Sequence, residues 1–208
     1  MRLLVVDTCL AVCQAAVFND ACTLSTISEP MIRGHQERLA PMVRQAMDTA
    51  DTTFAALDRI AVTVGPGSFT GLRVGLAFAK GLALALDAPC VGVGTLTALA
   101  ASAGEGLRRA AIIDAGRGAV YLQIFEGPNA LTAPDNLPIE TAAARLAEVG
   151  SVELLIGPQA ERLALSLAKM DAIEIAAPTP AAIAAIGAAA PLAAPRPLYL
   201  RAPDARIR

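Results

Sequence analysis

One short pattern occurs twice in this chain. Leu4-Val5-Val6-Asp7 and Ala111-Ile112-Ile113-Asp114 are both apolar runs that close on an aspartate. After Asp114 the chain turns through Gly116-Arg117-Gly118 into Val120–Phe125, a second strand placed like Val12–Phe18 after Asp7, and both strands end at Phe. Further on, Leu154-Leu155-Ile156-Gly157-Pro158 echoes Ala61-Val62-Thr63-Val64-Gly65-Pro66. A unit present twice restricts the fold far more than any single motif does.

Each unit opens as a β-meander. In the first, strands are predicted at about 3–8, 11–18 and 21–27, with Asn19-Asp20 as a turn, followed by a helix at about 34–49. A β-branched strand at 59–64, a Gly-rich turn, an apolar helix at about 71–86, a strand at 90–93 and a helix at about 95–103 complete it. Strands alternating with helices predict an α/β layered fold. Duplication of a meander whose first strand ends in Asp points to the actin-like (ASKHA) architecture, two ribonuclease-H-like subdomains, here assigned to residues 1–105 and 106–208. Such folds commonly hold a nucleotide between their halves.

With 208 residues, 55% hydrophobic and 17% charged, the chain can bury a core and is not disordered. Net charge is -2, so no overall basic field attracts nucleic acid. With no Trp, 2 Tyr and 5 Phe, the composition argues against a stacking platform for bases. Cys9, Cys13, Cys22 and Cys90 form no C-x-x-C pair and read as reduced, buried thiols of a cytoplasmic protein. The charge-free stretch from Ile175 to Pro195 has the length of a membrane span, but Pro178, Pro180, Pro191 and Pro195 interrupt it. Thr179-Pro180 reads as an N-cap and first helical residue, giving a short buried helix at 180–190 and no membrane contact.

Gly65-Pro66-Gly67-Ser68-Phe69-Thr70-Gly71 joins a strand to a helix, so Gly67, Ser68, Phe69 and Thr70 are candidates for holding an anion or nucleotide. The spacing matches neither the dinucleotide fingerprint nor a P-loop, and a tight packed turn is the plainer reading. Asp7 and Asp114 sit where carboxylates can serve Mg²⁺ and phosphate, or where they can bond turn amides. His35 is the only histidine, which excludes a two-histidine metal site, and at a helix start it reads as a surface or capping residue. Gly75, Ala79 and Ala83 form a small-residue strip on the apolar helix, open to close helix approach. The segment from Pro195 to Arg208 reads as a solvated basic tail, or as a docked strand around Leu198-Tyr199-Leu200.

The runs VVDT, HQERLAPMV, VGPGSFTGLRVGLAFAKGLALAL, CVGVGTLTALA, IIDAGRGAVYLQIF and PLYLRAPDAR together resemble the TsaB (YeaZ) family over essentially the whole chain. The resemblance implies a non-catalytic paralogue of TsaD, the subunit that places the threonylcarbamoyl group on the adenosine beside the anticodon of tRNAs reading A-starting codons. TsaD carries a H-x-x-x-H metal motif where this chain has Thr95 and Leu99, so no metal site and no catalytic residue are expected.

The resemblance further implies pairing with TsaD through the first two helices and a TsaE ATPase partner. tRNA is then contacted through the complex. The face that meets TsaD could also meet a second copy of itself, so a homodimer is the expected state of the chain alone, with a monomer left open. The expected partner-binding residues are Leu39, Met42, Val43 and Met47 on the first helix and Arg73, Leu76 and Lys80 on the second. No cofactor is expected to be bound tightly; ATP or ADP at the complex interface, in the cleft, or not at all are left open by the sequence. The alternative is an independent ATP-dependent enzyme using Asp7, Asp114 and the Gly67–Thr70 loop. A metal-dependent peptidase is disfavoured by the missing ligands.

Overall fold

A computed structural model describes residues 1–104, 108–167 and 170–201. The first unit runs β1 (Arg2–Asp7), β2 (Val12–Asn19), β3 (Cys22–Pro30), α1 (His35–Thr49), β4 (Arg59–Thr63), α2 (Phe69–Leu86), β5 (Cys90–Val93) and α3 (Thr95–Ser102). The second runs β6 (Arg108–Gly116), β7 (Ala119–Glu126), β8 (Asn129–Ala130), β9 (Asp135–Pro138), α4 (Ile139–Val149), β10 (Leu154–Gly157), α5 (Ala160–Leu167), β11 (Asp171–Glu174) and α6 (Pro180–Ala189).

The repeat seen in the sequence is a repeat in space. One sheet has the order β3-β2-β1-β4-β5, the other β11-β10-β6-β7-β8 with β9 also on β7. In both, the opening strands pair antiparallel and the later ones join in parallel. This is the actin-like architecture of two ribonuclease-H-like units. β1 and β4 read as nearly unbroken apolar runs because helices cover both faces of their sheet.

The covering helices are exchanged between units. On one face of the first sheet lie α1 and α2, whose Leu39, Met42, Val43, Met47, Leu72 and Leu76 pack on Leu4, Val6, Val17 and Val62. The other face receives α6 from the second unit, with Ile183 and Ala184 against Leu3, Val5 and Ala61. Reciprocally, α3 of the first unit lays Leu96 and Leu99 on Ala111, Ile113 and Phe125 of the second sheet. Arg59 of β4 fastens the end of α6, donating through Nη1 to the carbonyls of Gly187, Ala188 and Ala190.

The division at 105/106 falls outside the described residues. In space the two units interlock, because α6 packs on the first sheet and the Leu198 amide donates to the Val64 carbonyl. The cap at 179–180 forms as read: Thr179 Oγ1 accepts the Ala182 amide and Pro180 opens the helix. α2 begins at Phe69 rather than 71, since Ser68 caps it by accepting the Gly71 amide. Among the described residues α2 is the one helix long and apolar enough to cross a membrane; here one side of it is packed on the first sheet.

Candidate functional site

The turn after β1 is where chemistry in this architecture would be built. Asp7 is fully buried. Its Oδ1 accepts the Cys9 amide at 3.0 Å and the Thr63 hydroxyl at 2.6 Å, and its Oδ2 accepts Gln14 Nε2 at 2.8 Å. Gln14 Nε2 also donates to the Pro178 carbonyl at 2.8 Å, tying the strand end to the segment that leads into α6. Burial pushes the Asp7 carboxyl up, against the downward pull of its three donors. A carboxylate so enclosed braces the turn and offers no surface to Mg²⁺ or phosphate. Asp114, two residues before the end of β6, makes the corresponding bond, its Oδ1 accepting the Gly116 amide at 2.7 Å, while Oδ2 accepts from Arg162 Nη2 at 3.1 Å.

The Gly-rich loop lies directly on that turn. A Cβ on Gly67 would stand 2.2 Å from the Cys9 carbonyl oxygen, and one on Gly71 2.0 Å from that of Thr8. The Ser68 amide donates to the Cys9 carbonyl at 2.7 Å, and Thr8 Oγ1 donates to the Gly71 carbonyl at 2.7 Å. Ser68 is therefore engaged at both amide and hydroxyl, Phe69 turns towards Arg73 and Tyr199, and Thr70 is exposed in the first turn of α2. The loop forms the packed turn, not a cradle of free amides. Gly67, Ser68 and Asp114 nonetheless line a cleft of about 290 Å³ between the units, with Tyr121.

The residues expected to meet a partner divide sharply. Leu39, Met42, Val43, Met47 and Leu76 are buried in this chain's own core, so their placement on a partner surface is corrected: helical periodicity marked the inward face. Arg73 and Lys80 are exposed. The strip Gly75, Ala79, Ala83 also faces inward, where a Cβ on Gly75 would meet Thr8 Oγ1 at 2.5 Å. Facing outward instead are Ala77, Gly81, Leu84 and Ala85, flanked by half-buried Val74, Phe78 and Leu82. Leu84 is 86% exposed, and a Cβ on Gly81 would touch nothing. This second face, on the same helix, was hidden in the sequence because α2 is apolar all round.

His35 is buried rather than on the surface, and its Nε2 has no partner among the described residues. Thr95 and Leu99 are fully buried in α3. Among the described residues no group of three His, Cys, Asp or Glu side chains is placed to hold a metal. Cys9 and Cys13 are buried, Cys90 is half-buried, and Cys22 is exposed, a correction to the reading of four buried thiols. Burial pushes the Cys9 thiol up to about 12 and those of Cys13 and Cys90 up to about 11, which keeps them protonated and inert. The tail docks: the Leu198 amide donates to the Val64 carbonyl at 2.8 Å, and Arg201 Nη1 to the Ala115 carbonyl at 3.0 Å. Arg206 and Arg208 lie outside the described residues.

Comparison with known proteins gives this geometry a context. Residues 25–192 match the family described as TsaD, tRNA N6-adenosine threonylcarbamoyltransferase. The Escherichia coli tRNA threonylcarbamoyladenosine biosynthesis protein TsaB is 40% identical over 124 residues, 58% of this chain and 53% of the relative. The Bacillus subtilis TsaB is 33% identical over 133 residues, covering 63% and 58%. The matched segments thus span about half the length of these curated relatives. Among solved structures, YeaZ from Pseudomonas aeruginosa superposes with a TM-score of 0.80 at 27% identity, covering 96% of this chain and 99% of that one. A family match over most of the chain, TsaB sequences and a YeaZ structure agree: the chain belongs to the TsaD family, and within it to the TsaB/YeaZ proteins.

Proposed function

We propose that this chain is a non-catalytic accessory subunit in tRNA threonylcarbamoyladenosine synthesis, docking on the catalytic TsaD paralogue through the outer face of α2. The observation that carries this reading is the uncovered stripe of Ala77, Gly81, Leu84 and Ala85, flanked by half-buried Phe78, on a helix whose opposite face already fills the core. Small residues at 77, 81 and 85 let a second helix approach closely, and Val74, Phe78 and Leu84 supply apolar area. Thr95 and Leu99, buried where the resemblance places metal-binding histidines, support an accessory rather than a catalytic part.

The residues around Asp7 do not fit a nucleotide on this chain alone, because the carboxylate and the loop over it are satisfied internally. ATP or ADP is accordingly assigned to the complex interface, with a TsaE ATPase as third member, and tRNA is held by the assembled complex in the cytoplasm. Without its paralogue the chain pairs with itself through the same α2 face.

The test is reconstitution of threonylcarbamoylation from TsaD, TsaE, the threonylcarbamoyl-adenylate-forming enzyme, ATP, threonine and bicarbonate, with modified adenosine measured by mass spectrometry. Modification should require this protein, and a Leu84→Glu variant should fail to replace it. An equal rate without it would remove the accessory role.

A further inference from the structure

The composition argues against base stacking, yet the fold gathers what few exposed aromatics there are. Of the seven aromatic residues only Phe69, at 39%, and Tyr199, at 44%, are exposed. Though far apart in sequence, they touch, with ring centroids 5.4 Å apart and planes tilted by 42°. The guanidinium of Arg73 lies 3.7 Å from the Phe69 centroid and 5.9 Å from that of Tyr199, and Nε donates to the Tyr199 hydroxyl at 3.2 Å.

Arg73 has no carboxylate partner among the described residues, and the first turn of α2 carries no acid. Exposed Arg196 stands three residues before Tyr199. The arrangement is fixed in advance: Phe69 and Arg73 share a helix turn, and Tyr199 follows the residue pinned to the Val64 carbonyl. Little side-chain freedom is left to lose on binding.

From these residues we infer that Phe69, Arg73 and Tyr199 form a platform for single-stranded RNA, an unpaired base stacking on the rings and the adjoining phosphate meeting the guanidinium fork. Aromatic and guanidinium planes are what unpaired RNA bases stack on, and the fork matches phosphate geometry. The patch is open and not enclosed, which suits a base presented by a larger polymer better than a free nucleotide needing burial on most sides. Arg73 brings a cation to the patch although the whole chain carries a net charge of -2. This goes beyond the accessory role and does not need it, because the contact is made by this chain alone.

Fluorescence anisotropy of the full chain with a labelled eight-nucleotide single-stranded RNA at low salt tests the platform, coupled to ultraviolet cross-linking and peptide mass spectrometry. Arg73→Ala, Tyr199→Ala and Phe69→Ala should each weaken binding roughly tenfold with an unchanged circular dichroism spectrum. Tyr199→Phe, which keeps the ring, should bind within about threefold of the parent, and cross-links should fall on the peptides carrying Phe69 or Tyr199. Absence of RNA binding, equal affinity in the alanine variants, or cross-links confined elsewhere would overturn the platform. So would a finding that these three variants lose TsaD pairing while RNA binding is untouched, which would make the cluster a protein contact. Leu84→Glu, scored for TsaD pairing and for RNA, separates this outcome from failure of the accessory role: the platform expects its RNA affinity to be unchanged.

Discussion

Asp7 and Asp114 make the same bond in two settings. Each accepts the amide two residues ahead, Cys9 at 3.0 Å and Gly116 at 2.7 Å, Asp7 at the end of β1 and Asp114 at the bulge two residues before the end of β6. Duplication preserved the turn while the surroundings diverged. Asp7 is sealed among Thr63, Gln14 and Cys9, whereas Asp114 keeps a third of its side-chain surface in contact with solvent and faces Arg162.

That difference has a pH signature. Burial holds the Asp7 carboxyl above its usual 3.8, while the unfolded chain restores the ordinary value. Between the two values the folded state binds more protons, so stability falls as pH rises through the folded value. Asp7→Asn should remove this fall, leaving a flatter plot of urea midpoint against pH from about pH 4 upward. Asp7→Ala, which strands buried donors, should cost roughly 2–4 kcal/mol near pH 4, where the parent is most stable, and less as pH rises.

Inward and outward faces of the two helices should separate folding from pairing. Val43→Asp and Leu76→Glu place charge in the core and should abolish cooperative unfolding near room temperature. Ala77→Glu and Leu84→Glu should change stability by no more than about 0.5 kcal/mol, yet weaken the proposed pairing with TsaD in a pull-down or by calorimetry.

Two glycines of α2 should respond in opposite senses. Gly71→Ala drives a methyl group against the Thr8 carbonyl and should lower the melting temperature by several degrees, a cost of about 2–3 kcal/mol. Gly81→Ala meets open space and should raise stability by up to about 1 kcal/mol through helix propensity alone, read by thermal denaturation.

Arg59→Met should loosen α6 by removing the donor to three terminal carbonyls. The expected cost is roughly 1.5–3 kcal/mol, with amide exchange rising first in residues 180–189.

Much of the architecture was readable from periodicity and punctuation. The Asp-closed strands announced two units, Thr179-Pro180 announced α6, and the small residues of the Gly67–Gly71 loop announced a packed turn. The site was less readable, for a physical reason. Period 3.6 groups Leu39, Val43 and Met47 on one face of α1 but does not say whether that face meets the chain's own sheet or another molecule. On α2, apolar almost all round, two small-residue strips compete and only packing shows that Gly75, Ala79 and Ala83 face inward. Nor does local pattern show that Tyr199 will return to Phe69 and Arg73, or that α3 and α6 will change places.

The exchanged helices set a timetable for the nascent chain. β1, β4 and β5 are made early, but the helix that shields one face of their sheet emerges only with residues 180–189. With roughly 90 residues between β5 and α6, and synthesis at about 5–20 residues per second, that face waits on the order of 5–20 s for its cover. During that interval the first unit is a half-dressed sheet exposing Leu3, Val5, Phe18 and Val91, the surface a chaperone would be expected to recognise on a translating ribosome.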